Sequence, residues 1–330
     1  MKKTVIVLGT WSSGSGAVSD YLSSRRDFIS PYGKNEFKLI SDPGGLHYLY
    51  KNLYSSNDLL IPSYAYEQFN LYINNLEKYY VYSDYGRKVR LFDKKLIFLK
   101  NKFLKKIIKF KYLGWPHYKD LSQTFSDKVK RKIKVKIFNE KLFEIYKYPL
   151  ITPVDKKKFV LHSREFISDI IKSSSKININ SKNIILNNGA DICDPIISSQ
   201  YYKNRKIICV TRDPRDIFCG MKLRTANSTP WHDVKIFVKW YAHYFGNKNF
   251  QNILNQKLIL RIKFENFINN FDKENRKICK FLGIKSKIKF KDKKLFDLEE
   301  SKKNIYKSKF YLNKKELHLI ERELKEYLQW

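Results

Sequence analysis

The N-terminal segment constrains the fold more than any other part of the sequence. Residues 4–8 form a β-branched apolar run, typical of a buried parallel strand. Gly9 ends this run, a loop of small residues follows at 12–16, and residues 17–24 then have the periodicity of a short helix. A buried strand, a glycine loop and a helix in this order predict the opening of an α/β domain. Such a domain would have an anion site at the N-terminus of the helix.

Composition limits the protein classes that need consideration. The 330 residues allow one or two domains, and we expect a single domain over 1–330. Hydrophobic residues make up 43% and aromatic residues 15%, which excludes a disordered chain. Lys and Arg number 66 against 32 acids, giving a net charge of +34 that predicts attraction to phosphates, acidic glycans or anionic membranes. The alternative is that the lysines reflect a coding bias.

Cysteine usage and hydropathy bear on the compartment. The four cysteines form no CxxC pair, so we expect neither a disulfide framework nor a metal site. The apolar run at 4–8 is too short for a signal peptide, and no apolar run of membrane-spanning length follows. We therefore expect a soluble protein of the reducing cytosol.

The middle of the chain differs in character from its ends. Residues 50–180 are rich in lysine and tyrosine, and 94–111 sets apolar residues at helical spacing against eight lysines. This predicts a large, basic, mostly helical insertion that forms a lid or an acceptor-binding region. Apolar runs near 183–186, 206–210 and 258–262 return the chain to the sheet. The expected fold is α/β and P-loop-like, with three layers and a central, mainly parallel sheet.

The loop after the first strand fits the frame of a Walker A phosphate loop, GxxxxGK[ST], but fails at two positions. Ser15 stands where the lysine belongs, and Gly16 stands where the magnesium-binding hydroxyl belongs. ATP cleavage is therefore not expected. Backbone amides and the hydroxyls of Ser12, Ser13 and Ser15 still suit an anion. The alternative is a ligand-free turn.

A second anion element follows the strand at 206–210. There the sequence runs Thr211-Arg212-Asp213-Pro214-Arg215-Asp216, which puts two arginines at the carboxyl end of a buried strand. Ligands of α/β proteins bind at such ends, and arginine binds phosphate oxygens through two parallel hydrogen bonds. The alternative is a surface turn that caps the following helix.

Together the two elements resemble the PAPS-dependent sulfotransferases. In that family the first loop holds the 5′-phosphosulfate of the donor, and an R-[DN]-P-x-[DE] turn holds its 3′-phosphate. Residues 263–267 with 281–283 resemble another family segment, and 301–310 resembles its basic C-terminal loop. The resemblance implies donor binding by Ser13, Gly14, Ser15, Gly16, Arg212, Arg215, Lys302 and Lys303.

Three departures from the family pattern shape the expected mechanism. Ser12 occupies the place of a basic residue that contacts the transferred group, and Gly220 occupies the place of a phosphate-binding serine, for which Arg224 or Thr225 could substitute. The strand end at 186–189 lacks the histidine of the small-molecule enzymes. Residues 33–37 and 42–45 resemble bacterial members tied to surface polysaccharide. That resemblance implies Glu36 as the catalytic base, with His47 and His162 as alternatives.

The resulting hypothesis is a cytoplasmic bacterial enzyme of polysaccharide or capsule biosynthesis. It would move a sulfuryl group from PAPS, without a metal, to a hydroxyl of a carbohydrate or lipid-linked glycan. Peripheral contact with the inner face of an anionic membrane remains open. One alternative is a non-catalytic basic protein that binds nucleic acid or membrane through 90–160, although nucleic-acid-binding signatures are lacking. The other alternative is a P-loop kinase, against which the missing lysine argues.

Overall fold

The computed structural model describes residues 3–82, 88–121, 123–138, 148–174, 183–224, 229–245, 256–286, 290 and 295–328, to which all structural statements below refer. The chain divides into two compact units. The first comprises residues 1–41 and 171–330, and the second comprises residues 42–170. The second unit overlaps the insertion predicted at 50–180. Its role as a lid or acceptor-binding region stays a prediction.

The strands and helices of the described residues are as follows. The strands are β1 Thr4–Gly9, β2 Phe28–Ile29, β3 Tyr80–Tyr82, β4 Lys88–Arg90, β5 Ile108–Gly114, β6 Tyr148–Pro153, β7 Asn183–Asn187, β8 Arg205–Thr211 and β9 Ile259–Lys263. The helices of the first half are α1 Ser15–Ser24, α2 Leu46–Leu53, α3 Leu60–Glu77, α4 Leu96–Ile107, α5 Tyr118–Leu121, α6 Phe125–Ile137 and α7 Lys156–Ser174. Those of the second half are α8 Pro195–Ser198, α9 Pro214–Arg224, α10 Val234–Phe245, α11 Phe264–Asn269, α12 Phe271–Leu282, α13 Leu298–Lys302, α14 Ser308–Tyr311 and α15 Lys314–Glu323.

The first unit is built on a five-stranded parallel sheet in the order β2-β7-β1-β8-β9. Strand β1 lies at its centre, with Val7 opposite Asn187 of β7 and Gly9 opposite Val210 of β8. The loop after β1 therefore leaves the sheet between the carboxyl ends of β7 and β8, where open α/β sheets bind ligands. The predicted α/β class and central parallel sheet are confirmed.

The core of this unit joins the sheet to the helices that cover it. Val5 and Val7 of β1 are fully buried with Tyr21 and Leu22 of α1. Helix α12 contributes further buried side chains to the same cluster, including Ile278 and Leu282. This helix ends at Gly283, whose positive φ of 60° makes it the left-handed C-cap that the sequence predicted.

The described residues of the second unit are mostly helical, and they also include strands that the sequence did not predict. Its core contains Phe69, Phe103 and Phe166, and the rings of the last two stack with centroids 4.6 Å apart. Two antiparallel strand pairs, β3 with β4 and β5 with β6, lie among its helices. The helical pattern read over 94–111 ends at Ile107, and 108–114 forms strand β5. From Ile108 onward, lysines alternate with apolar residues, which is a strand period that the preceding helical spacing concealed.

Candidate functional site

The loop after β1 has a constrained backbone and an unsatisfied polar group. Ser12 and Gly14 both have positive φ, of 59° and 86°. The amide of Ser13 donates to the carbonyl of Thr10 at 3.1 Å. The hydroxyl of Ser13 is buried, and no partner for it exists among the described residues. A buried hydroxyl without a partner is costly, so this loop is suited to a polar ligand.

Helix α1 begins directly behind this loop. Its first intrahelical hydrogen bond runs from the amide of Ala17 to the carbonyl of Gly14, at 3.1 Å. The amides of Ser15 and Gly16 therefore precede the hydrogen-bonded part of the helix and have no acceptor within it. Such amides and the helix dipole favour an anion, as the sequence predicted for this position.

Two glycines are required by close packing, whereas a third is not. A Cβ at Gly14 would lie 2.3 Å from the Cδ2 atom of Phe264, and one at Gly9 would lie 2.1 Å from the Oγ of Ser13. By contrast, a Cβ at Gly16 would have no neighbour within 4 Å. The shape of the loop thus depends on Gly9 and Gly14. Donor contact by Gly16 stays a prediction.

Arg212 connects the second predicted element to the first. It directly follows β8 and is 7% exposed. Its Nη1 donates to the carbonyl of Ser12 at 2.8 Å, its Nη2 donates to the carbonyl of Asn304, and its Nε is buried without a partner among the described residues. The guanidinium also stacks over the ring of Phe264 at 5.1 Å. Arg212 therefore holds the loop while keeping donor capacity for an anion.

Burial and carboxylates act oppositely on this arginine. Desolvation by burial lowers the pKa of Arg212, while the charges of Asp216 and Glu265 raise it. Glu265 is itself buried. Its Oε1 accepts from the amide of Asp213 at 2.9 Å, and its Oε2 has no partner among the described residues. Burial raises the pKa of Glu265. The bond to the backbone of the turn gives Glu265 a structural role.

Asp216 brings the C-terminal segment to the same place. Its fully buried carboxylate accepts from the amides of Tyr306 at 2.8 Å and Ser308 at 3.0 Å, and from the Ser308 hydroxyl at 2.7 Å. The segment that resembles the family's basic loop is thereby fixed beside Arg212, which bonds Asn304.

The two lysines that the resemblance implied lie on the exposed side of this segment. Lys302 is 2.7 Å from Glu299, and Lys303 pairs with Glu300. Lys307 is half-buried, and within the described part of the chain it has no ion pair. Burial raises the pKa of the nearby Cys219 thiol to about 11, and the positive charges of Arg212 and Lys307 both oppose that rise, which indicates that Lys307 lies near the same thiol as Arg212. We therefore regard Lys307 as better placed than Lys302 or Lys303, whose donor binding stays a prediction.

Arg215 is held by carboxylates rather than left open. Its Nε and Nη2 each donate to an oxygen of Asp213 at 2.9 Å, and its Nη1 donates to Glu321 of α15 at 2.7 Å. The side chain is buried between these partners. The geometry favours a structural role that ties α9 to α15. The donor-binding role implied for Arg215 stays a prediction without geometric support.

Two departures from the family pattern are in contact. A Cβ at Gly220 would lie 3.0 Å from both the Cβ and the Oγ of Ser12. The absence of a side chain at 220 therefore leaves room for the loop at Ser12. Of the suggested substitutes for the missing serine, Arg224 lies exposed near the end of α9, and Thr225 lies outside the described residues.

Glu36 is brought to the loop by the end of β7. The amide of Phe37 donates to the carbonyl of Asn187 at 2.8 Å. The Nδ2 of Asn188 donates to Glu36 Oε1 at 2.6 Å, while the Oδ1 of Asn188 accepts from the amide of Gly9 at 3.3 Å. One asparagine thus joins the candidate base to the first residue of the anion loop.

A lysine completes this contact. Lys38 lies 2.9 Å from Glu36 Oε2 and also 5.2 Å from the ring centre of Trp11, which belongs to the loop. Lys34, the other flanking lysine, is exposed. His47 and His162, the alternative bases, belong to the second unit.

Asn188 is the candidate site residue that the sequence interpretation missed. Its backbone has a positive φ of 49°, a conformation in which asparagine is enriched. The Asn-Asn-Gly sequence at 187–189 signalled a turn, but not that the second asparagine would reach Glu36, which is 152 residues away. The strand end without a histidine is therefore occupied by an amide that positions a carboxylate.

Within the described residues, no group of three or more His, Cys, Asp or Glu side chains could hold a metal ion. None of their helices combines the length and apolar character that crossing a bilayer requires.

Two comparisons find similarity to sulfotransferases. A family model described as "Sulfotransferase family" matches residues 197–287, which include the turn after β8 and Glu265 but not the loop after β1. Among solved structures, the chain is similar to the sulfotransferase domain from the Synechococcus PCC 7002 olefin synthase. Their identity is 12% and the TM-score is 0.40, over 90% of this chain and 76% of that chain. No curated protein matches the chain. The family match supports a transferase and leaves its acceptor open.

Proposed function

We propose that this chain is a sulfotransferase that moves a sulfuryl group from PAPS to a hydroxyl of a carbohydrate or lipid-linked glycan. One observation carries the proposal. The two predicted anion elements converge, since Arg212 donates to the carbonyl of Ser12 at 2.8 Å. Because β1 and β8 are neighbours in the parallel sheet, both elements lie at the same sheet edge, where open α/β sheets bind ligands.

The residues at this junction fit a donor with two separate anionic groups. The Ser13 hydroxyl and the Arg212 Nε are both buried and lack partners among the described residues. We assign the phosphosulfate to residues 12–16 and the 3′-phosphate to Arg212, with Lys307 nearby. When bound, PAPS supplies an activated sulfuryl group whose transfer depends chiefly on positioning and on charge neutralisation.

Glu36 is the proposed general base. Its carboxylate is 39% exposed, so an acceptor hydroxyl can reach it. Asn188 bonds one carboxylate oxygen and Lys38 bonds the other, which fixes the group while leaving further acceptor capacity on both oxygens. A carboxylate held in this way can take the proton from the acceptor hydroxyl as the new bond to sulfur forms.

The acceptor class rests on resemblance and charge. The bacterial members that the sequence resembles act on surface polysaccharide, and acidic glycans suit a chain with a net charge of +34. Sulfation of a purified acidic glycan with labelled donor tests this part. Transfer to a small phenol but to no glycan would contradict it.

Thermal stabilisation by PAP tests the donor site directly. We expect PAP to raise the melting temperature, and ATP with Mg²⁺ or an oligonucleotide to raise it less. Arg212→Ala should lose the PAP effect. The matched control Arg276→Ala, at an exposed position of α12, should keep it. Stabilisation by ATP with Mg²⁺ above that by PAP would overturn the proposal in favour of a kinase.

A further inference from the structure

Helix α6 (Phe125–Ile137) has an apolar side that nothing in the described residues covers. No residue of this helix is buried. The exposed fractions are 83% for Phe125, 38% for Val129, 42% for Ile133 and 70% for Ile137. At four-residue spacing these side chains lie along one side of a helix. We call them the α6 stripe.

The rest of helix α6 is strongly basic. It carries one acid, Asp127, and six cations, which are Lys128, Lys130, Arg131, Lys132, Lys134 and Lys136. With about 100° per residue, Lys132 and Lys136 fall along one border of the α6 stripe and Lys130 along the other. A basic amphipathic helix of this kind is typical of a membrane surface.

The N-terminus of helix α6 is capped, but none of its side chains is buried. A capping box fixes its N-terminus, with the Asp127 amide donating to Thr124 Oγ1 at 3.3 Å and the Thr124 amide donating to Asp127 Oδ2 at 3.0 Å. However, a 13-residue helix without buried side chains is marginal in water. Lysines four residues apart, such as Lys128 and Lys132, also repel each other. A negatively charged apolar surface would relieve both problems.

Helix α12 in the first unit provides the contrast. It is also basic, but its apolar residues Ile278 and Leu282 are buried in the core. Its cations Lys273, Arg276 and Lys280 are exposed. In α12 the chain covers the apolar side of a basic helix by folding. In α6 that side is exposed, and none of the described residues covers it.

We propose that helix α6 lies in the surface of an anionic lipid bilayer, with the α6 stripe among the upper acyl chains and its lysines at the phosphate headgroups. Thirteen residues are too few to span a bilayer, which takes about 20. A nucleic acid would neutralise the lysines but leave the α6 stripe in water. A second copy of the chain would bring six cations against six. The proposal goes beyond the proposed function and does not depend on it.

Vesicle sedimentation of the full chain tests the proposal. We expect binding to vesicles of phosphatidylcholine with phosphatidylglycerol, weakening steeply with salt, and little binding to phosphatidylcholine alone. Replacing the α6 stripe by Phe125→Ala, Val129→Ala, Ile133→Ala and Ile137→Ala keeps or raises helix propensity while removing apolar area. This variant should bind anionic vesicles at least about tenfold more weakly.

A matched pair of charge variants separates helix α6 from the overall charge. Lys128→Gln, Lys132→Gln and Lys136→Gln together should weaken binding about a hundredfold, since each lysine near an anionic surface contributes about fivefold. Lys273→Gln, Arg276→Gln and Lys280→Gln remove the same charge from α12 and should change binding by less than about fivefold. An equal loss in both variants would show diffuse attraction and overturn the proposal.

Site-specific fluorescence tests insertion itself. With Cys193, the exposed cysteine of the described residues, replaced by serine, an environment-sensitive dye at Ile133→Cys should shift to the blue on anionic vesicles. The dye at Lys128→Cys, about 140° around the helix, should shift less. Equal shifts at the two positions would overturn insertion of the α6 stripe.

Failure of the unaltered chain to bind any vesicle, or recovery of the chain with an acidic protein instead, would overturn the membrane as partner. PAP stabilisation is measured without lipid, so it reports on the proposed function separately.

Discussion

The two strand ends that form the candidate site are built in different ways. After β1, the chain is held by backbone shape, with positive φ at Ser12 and Gly14 and a buried Ser13 hydroxyl that lacks a described partner. After β8, the turn is held by charge. Asp213 pairs with Arg215, and Asp216 accepts three hydrogen bonds from 306–308.

This difference assigns different tasks to the two ends. A loop that is fixed by sterics can leave its polar groups free for a ligand, whereas a turn that is fixed by ion pairs uses most of its own charges. Arg212 is the exception within the turn, because its Nε is unpartnered in the described residues and its Nη1 reaches the loop. Substitutions should therefore act through shape at the first end and through charge at the second.

Gly14→Val should have the largest effect, because it attacks shape directly. The new side chain would meet the ring of Phe264 at a backbone φ of 86°, where a β-branched residue is strained. We expect a loss of about 2–6 kcal/mol in the free energy of unfolding, from strain and overpacking together. PAP binding should disappear. Denaturant unfolding and calorimetric titration with PAP measure the two effects.

Gly16→Ala is the matched control for that substitution. Its Cβ would enter open space within the first turn of α1, so stability should hold or rise by about 0.5–1 kcal/mol. Normal PAP affinity in Gly14→Val would show that the loop does not hold the donor. Lost affinity in Gly16→Ala at full stability would show that the donor contacts this turn of the helix.

The sequence predicted the parts of the site that lie within single segments. It did not predict the contacts between segments that are distant in sequence. The loop at 9–16 and the turn at 211–216 are contiguous in sequence, so residue type and spacing identified both. Phe264 against Gly14, Gly220 against Ser12 and Asn188 against Glu36 are contacts between distant segments, and periodicity carries no information on them. The sequence therefore identified the parts of the site but not the contacts that shape and join them.

For the fold, the parallel sheet was predicted better than the strands of the second unit. The strands of the parallel sheet are short, continuous apolar runs, and the observed β1, β8 and β9 begin or end within one residue of the predicted ones. In the second unit, strand β5 alternates lysine with apolar residues, and an adjacent helical pattern obscured it at 108–114. A strand that is buried on both faces is a continuous apolar run. Such a run is easier to recognise in a sequence than the alternation of a strand that is buried on one face.

Glu36→Gln tests the third strand end, which contacts the loop through Asn188. The amide keeps the shape of the side chain but cannot take a proton, so kcat should fall by about 10²–10⁴. PAP affinity should stay near that of the unaltered chain, because the loop is unchanged. Full turnover in this variant, with loss of turnover in His47→Ala or His162→Ala, would assign the base to a histidine instead.

Arg215→Ala should destabilise the turn after β8. It would leave Asp213 buried without its main partner and remove the contact with Glu321. Removing one member of a buried pair costs about 3–5 kcal/mol of unfolding free energy. In the folded fraction, we expect PAP affinity within about threefold of normal, measured below the melting temperature. A large loss of PAP affinity in a stably folded variant would restore Arg215 as a donor ligand.

Arg212→Ala should instead affect PAP binding more than it affects stability. Loss of one charge-assisted partner for a phosphate should weaken PAP binding by about 2–4 kcal/mol, which is roughly 30- to 1000-fold. Asp216 loses its ion pair with Arg212 at 3.7 Å but keeps its bonds to Tyr306 and Ser308, so the fold should persist. If Arg212→Ala and Arg215→Ala have equal effects on PAP affinity, the division between a binding arginine and a structural one is wrong.

Glu265→Gln should have the smallest effect, and it separates shape from charge within the turn. Burial raises the pKa of Glu265, so the folded chain holds this proton more tightly than the unfolded chain does. As pH rises above the unfolded-state value of about 4.3, the unfolded chain loses the proton first, and stability falls until the folded carboxyl has also ionised. Glutamine keeps an acceptor for the Asp213 amide and cannot ionise, so this fall should vanish while stability at neutral pH changes by about 1 kcal/mol or less. Unfolding titrations across mildly acidic to neutral pH measure both quantities. If the variant keeps the full pH dependence, another group causes it and Glu265 serves only as a hydrogen-bond acceptor for the turn.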